Sequence, residues 1–241
     1  MPPLVLLHGF AHTPGSWQEV AASLGGELHP WPTPGHDATA PVAATWDETI
    51  AGLAATLPAG AIAVGYSYGA RVALGLLAHD AVEAAVLIGV NPGLADPDAR
   101  ALRRTEDARW AELLRARGTE AFLVAWEAQP LFTSQVRAPA AVRARRRAER
   151  SSLDPAALAG ALEVLGLGAM PDLGPALAAR ADRAHLVVGA DDYRFRTIAG
   201  DLAARTGIPV DVVDDSGHDP TLEAPAALAT IIARAVSRLT T

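Results

Sequence analysis

Apolar positions along the chain fall into two kinds of run that alternate. Short continuous runs lie at 4–7, 61–65, 85–90, 186–189 and 210–213, with a weaker one at 27–31. They are leucine-, valine- or alanine-rich and stop at turn residues, the signature of strands buried on both faces. Between them, at 17–24, 46–57, 68–78, 195–206 and 222–239, apolar residues recur with helical spacing. Strand and helix in turn predict an α/β fold, a mostly parallel sheet with helices on both faces.

The alternation stops between 94 and 181. That stretch is rich in Ala, Arg, Leu and Glu, contains Trp110 and Trp126, and shows no strand pattern. An all-helical insertion between two parallel strands predicts a cap over the carboxyl edge of the sheet. The expected organisation is a core of residues 1–93 and 182–241 and a helical cap of residues 94–181.

Composition narrows the function. Half of the 241 residues are apolar and a fifth charged, enough for a globular core. The net charge of −7 argues against a nucleic-acid partner. With no cysteine there is no thiolate nucleophile, thiolate metal site or disulfide framework. All 20 basic residues are arginine, so Schiff-base and P-loop lysine chemistry are excluded as well. The apolar run at 4–7 is too short for a secretion signal and no stretch matches a membrane span. A cytoplasmic protein is expected, a monomer or small homo-oligomer that takes a small molecule and needs no metal or cofactor.

The chemistry is written at the strand ends. Gly65-Tyr66-Ser67-Tyr68-Gly69 is a G-x-S-x-G sequence that follows a predicted strand and opens a predicted helix. In that context a tight turn pushes the serine hydroxyl out over the sheet edge, as in the α/β-hydrolase fold. A serine needs an imidazole at hydrogen-bond distance, and the fold orders its partners Ser, acid, His. His218, in Asp215-Ser216-Gly217-His218-Asp219 between the last strand and the last helix, meets that order; His185, at the start of a strand, reads as structural. The acid should end the strand at 186–189, where Asp192 is the first choice and Asp191 the second; one of them also caps the next helix. The backbone N–H groups of Phe10, after Leu7-His8-Gly9, and of Tyr68 are the expected oxyanion donors.

Beyond these superfamily features the chain resembles the 2-succinyl-6-hydroxy-2,4-cyclohexadiene-1-carboxylate synthases of menaquinone biosynthesis, over nearly its whole length. The resemblance rests on Leu7-His8-Gly9-Phe10, Ser67 followed by Arg71, Asn91-Pro92-Gly93-Leu94, Trp126-Glu127-Ala128-Gln129-Pro130-Leu131-Phe132, Asp192-Tyr193-Arg194-Phe195 and Ser216-Gly217-His218. It implies a lyase that eliminates pyruvate from 2-succinyl-5-enolpyruvyl-6-hydroxy-3-cyclohexene-1-carboxylate, with Ser67, Asp192 and His218 acting as a base. It also implies substrate binding by Arg71, Arg103, Arg147 and Trp126. The family usually has Met or Leu where Tyr68 stands, so a narrowed pocket is expected. Guanidinium forks suit carboxylates. An esterase or C–C bond hydrolase acting on a small anion would use the same triad and is the alternative; a non-catalytic binding protein would not need an activated serine.

Overall fold

The computed structural model describes residues 2–241. Six strands, β1 (Leu4–Leu7), β2 (Leu28–Trp31), β3 (Ile62–Tyr66), β4 (Ala84–Ile88), β5 (Ala184–Gly189) and β6 (Val210–Val213), form one sheet. The order is β2-β1-β3-β4-β5-β6 and every pairing is parallel. The helices in chain order are α1 (Gln18–Ala21), α2 (Trp46–Ala54), α3 (Tyr68–Ala78), α4 (Pro97–Glu127), α5 (Ala140–Ser151), α6 (Pro155–Leu165), α7 (Gly174–Ala178), α8 (Tyr193–Thr206), α9 (Pro220–Glu223) and α10 (Pro225–Leu239).

The central strands are buried on both sides because successive side chains feed two different cores. Val5, Leu7 and Ala63 join a cluster with residues of α2, α3 and α8. Leu4, Leu6, Ile62 and Val64 join a second with Trp17, Val20 and the apolar stripe of α10. β2 carries Pro30 and lies at the sheet edge, where a missing N–H costs least. α2 starts where a capping box allows it: Thr45 Oγ1 accepts from Glu48 N–H at 3.2 Å and Glu48 accepts from Thr45 N–H at 3.1 Å.

Residues 94–181 contain helices and no strand among the described residues. α4 is broken at Gly118, whose φ of +75° is outside the helical region. Ala111, Leu114, Phe122 and Leu123 of α4 and Leu158, Leu162 and Leu165 of α6 are continuous with the cluster on the α3 face of the sheet. α7 packs against α3 of the core.

Two helices differ from the periodicity. The stretch 17–24 is helical only as far as Ala21: a 3-10 turn (Pro14–Trp17) runs into the single-turn α1. The stretch 222–239 is two helices, split at Ala224 (φ −143°, ψ 57°), since the residue before Pro225 is driven out of the helical region. No helix among the described residues is long and apolar enough to cross a membrane.

Candidate active site

Ser67 sits between β3 and α3 with φ +53° and ψ −107°, a strained conformation for a residue with a side chain. Its N–H donates to Ile88 O on β4 at 2.8 Å, which ties the turn to the sheet. The two flanking glycines are required by close packing. A Cβ on Gly65 would meet the backbone of Gly69 and Ala70, and one on Gly69 would meet the Leu7 and His8 carbonyls of the neighbouring strand end. The strand-to-helix turn is thus compressed from both sides, and the hydroxyl stands over the carboxyl edge.

His218 and Asp192 come to the same place from the loops after β6 and β5. Ser67 Oγ lies 2.9 Å from His218 Nε2, and His218 Nδ1 lies 2.6 Å from Asp192 Oδ2. With Asp192 ionised, Nδ1 carries the proton and Nε2 is free to accept from the serine. Asp192 and His218 are both buried. Asp191 points away, onto Arg137 at 2.7 Å. His185 is bonded to Asp211 at 2.8 Å, far from the serine in chemical terms.

The first loop supplies the other half. His8 donates from Nδ1 to Gly9 O at 3.0 Å and accepts at Nε2 from Thr33 N–H at 3.1 Å, so it holds the loop. Neither Phe10 N–H nor Tyr68 N–H has a partner among the described residues, and both residues line the cavity over Ser67. The side chain of Tyr68 turns inward, where its hydroxyl donates to Pro34 O at 3.0 Å and burial pushes its ionisation up. Its ring lies 5.1 Å from the Arg71 guanidinium carbon.

The cavity over the serine holds about 120 Å³. Phe10, Trp126, Phe132 and Phe195 form its apolar walls; the Phe195 ring centroid is 4.4 Å from that of His218. Arg71, Arg103 and Arg194 line it with positive charge. Arg71 is buried, one helical turn beyond Ser67, and donates only to Leu165 O at 2.8 Å and to Met170 Sδ at 3.6 Å. No carboxylate is in ion-pair contact with it among the described residues. Burial pulls its guanidinium down to about 10, and the like charge of Arg103 adds to the pull. It therefore stays charged at neutral pH while lacking a counter-ion. Arg103 gives its Nε to Asp107 at 2.8 Å and still lines the cavity.

Arg147 is not brought to the serine. It pairs with Glu127 and, at 2.5 Å, with Glu120, and it lines a separate cavity of about 520 Å³. On α5 the inward residues are Arg146 and Arg150; Arg150 donates to Ala11 O at 2.7 Å, next to Phe10. Several contributors were not assigned from the sequence, the apolar walls Phe132 and Phe195 among them. Asn91, Gln129 and Arg194 line the serine cavity, although each lies inside a motif quoted above. Glu223 fastens the histidine loop through Gly217 N–H at 3.0 Å and Asp219 N–H at 3.3 Å.

The profile of the alpha/beta hydrolase family matches residues 4–231. The chain belongs to that family. Within the alpha/beta hydrolases it is 34% identical over 243 residues to 2-succinyl-6-hydroxy-2,4-cyclohexadiene-1-carboxylate synthase of Serratia proteamaculans, covering 95% of this chain and 90% of the relative. The enzyme of the same name from an Enterobacter species is 37% identical over 249 residues, covering 97% and 91%. Among solved structures, MenH from S. aureus superimposes with a TM-score of 0.91 at 26% identity, over 100% of this chain and 95% of that one. The likeness therefore takes in the helical insertion as well as the sheet.

Proposed function

We propose that this hydrolase-fold chain is a carbon–oxygen lyase. It eliminates pyruvate from 2-succinyl-5-enolpyruvyl-6-hydroxy-3-cyclohexene-1-carboxylate to give 2-succinyl-6-hydroxy-2,4-cyclohexadiene-1-carboxylate. The observation that carries the reading is Arg71: a buried guanidinium without a carboxylate, facing the cavity of a serine paired with a histidine. A neutral ester gives such a charge nothing to bind, whereas a polycarboxylate supplies its missing partner. The names of the relatives agree with that chemistry.

The two ring names fix the bond changes. The proton at C2, next to the succinyl ketone, is lost; C2–C3 becomes a double bond; the C3–C4 double bond moves to C4–C5; and the C5–oxygen bond breaks. The leaving enolpyruvate takes up a proton and tautomerises to pyruvate. Ser67 Oγ, held by His218 Nε2, removes the C2 proton as its own passes to the imidazole, and Asp192 stabilises the imidazolium. Negative charge grows on the succinyl ketone oxygen, where the Phe10 and Tyr68 N–H groups receive it. Trp126, Phe132 and Phe195 keep water away from the base. Arg71 and Arg103 hold carboxylates.

The test compares pyruvate release with cleavage of a p-nitrophenyl ester, with no metal or cofactor added. Pyruvate formation at the higher kcat/KM, lost in a folded Ser67→Ala protein, supports the lyase. Efficient ester cleavage without pyruvate would replace it with the serine hydrolase.

A further inference from the structure

The cavity over Ser67, at about 120 Å³, is small for its proposed task. Pockets that enclose ligands of this size run to roughly 300–1,000 Å³. Part of the substrate has to lie outside it. Two larger spaces adjoin. The one of about 520 Å³ beside α5 shares a single wall residue with the serine cavity, Phe132. The other, a groove of about 710 Å³, shares three: Gln129, Leu131 and Arg194. The groove thus adjoins the serine cavity more extensively than the α5 space does, and Arg194 lines both.

Arg194 lies in the first turn of α8, two residues after Asp192. It is exposed, and among the described residues its guanidinium has no hydrogen-bond acceptor and no carboxylate partner; its guanidinium carbon lies 6.0 Å from the centre of the Phe195 ring. The other cation of the groove, Arg137, is already held by Asp191 at 2.7 Å and Glu223 at 3.3 Å. Arg194 is therefore the cation of this groove that can accept a ligand without breaking an ion pair.

We infer that the groove is a substrate subsite in which Arg194 binds the terminal carboxylate of the succinyl arm, which makes Arg194 a specificity-determining residue. The inference rests on the lyase reading. The succinyl carboxylate is the one on a flexible methylene tether, so it can reach the mouth while C2 stays at Ser67. The ring carboxylate has no tether, and the enolpyruvyl carboxylate departs with the leaving group. Holding the retained arm leaves pyruvate free to go.

The test pairs turnover with binding. In Arg194→Ala, KM rises roughly ten- to a hundredfold, the reach of one charge-assisted pair, while kcat stays within about threefold and the melting temperature is unchanged. Arg194→Lys recovers part of the loss. Binding is read by tryptophan fluorescence with 2-succinylbenzoate, an aromatic analogue that keeps the ring carboxylate and the succinyl arm, and with 2-butanoylbenzoate, which lacks the terminal carboxylate. Arg194→Ala weakens the first and leaves the second as it was. Pyruvate release by the wild type together with unchanged KM and Kd in Arg194→Ala overturns the inference and spares the lyase. Equal weakening of both benzoates overturns it too. Discrimination between the benzoates in an enzyme that releases no pyruvate keeps the subsite and removes the lyase.

Discussion

Asp192 uses its two oxygens for two purposes. Oδ2 takes the proton bond of His218 Nδ1 at 2.6 Å, and Oδ1 accepts from Phe195 N–H at 3.3 Å, capping α8. In Asp192→Asn the cap can survive, but the amide N–H₂ facing Nδ1 forces the proton onto Nε2, which then no longer accepts from Ser67. Serine triads lose about ten-thousandfold in kcat from that change. Asp191→Asn removes only a half-exposed contact to Arg137 and should leave kcat within about twofold. Steady-state kinetics on the two variants separate them, and a larger loss in Asp191→Asn would mean that the acid has been misassigned. Ser67, Asp192 and His218 were legible because each is set by a few neighbouring residues: a strand, a turn and a helix start. Arg147 was not. α5 reads Ala-Ala-Val-Arg-Ala-Arg-Arg-Arg-Ala-Glu-Arg-Ser, with arginines at 143, 145, 146, 147 and 150 spread around the helix, so helical spacing does not show that Arg146 and Arg150 are the ones turned inward.

At the scale of elements, α5 is fastened to the core by polar contacts where other helices use apolar ones. Arg146 donates to Thr221 Oγ1 at 3.0 Å, Thr221 O at 2.7 Å, Ser16 O at 2.8 Å and Glu19 at 3.0 Å. One buried guanidinium thereby joins the insertion, the first loop and the helix that follows His218. Thr221 Oγ1 passes the chain of bonds on to Asp219 at 2.5 Å. Arg146→Met keeps the length of the side chain but leaves the Ser16 and Thr221 carbonyls without their donor and the buried Asp219 carboxylate, 3.7 Å from Arg146, without its cation, while Glu19 keeps Arg145 at 2.5 Å. The expected cost is about 3–5 kcal/mol of unfolding free energy, the range for breaking a buried pair on one side, measured by urea denaturation; a loss below about 1 kcal/mol would show the cluster to be well solvated. Such a tie cannot be seen in a sequence, because residues 16, 146 and 221 meet only after folding. The strands could be, since runs buried on both faces need no partner to be recognised. The break at Ala224 does not show in the apolar period, because the local chain chemistry of Pro225 outweighs it.

For the molecule as a whole, the loop that carries Phe10 is gripped from two directions. Ala11, held at φ +52°, receives the Arg150 Nε–H on its carbonyl at 2.7 Å and gives its own N–H to His36 Nε2 at 2.8 Å. The second bond needs a neutral imidazole, as does the bond from Thr33 N–H to His8 Nε2. Burial keeps both rings neutral: it lowers His36 to about 4 and His8 well below its usual value, and His12 is lowered by burial and then by Arg150 and Arg146. The sign follows from proton counting. Between about pH 6.5 and 4 the unfolded chain binds protons at these histidines and the folded chain does not, so stability is full above 6.5 and falls as the solution is acidified. Each histidine contributes on the order of 1.4 kcal/mol per pH unit inside that window. Most carboxylates titrate lower, so the interval from about pH 6.5 to 5 isolates the histidines. Urea unfolding across it should show a steep fall in the wild type. His36→Gln, whose amide oxygen can still accept from Ala11 N–H, should lose about one proton's worth of that slope. An identical slope in the two proteins would mean that His36 takes up its proton in the folded chain as readily as in the unfolded one, and the neutral-acceptor account of the Phe10 loop would have to be given up.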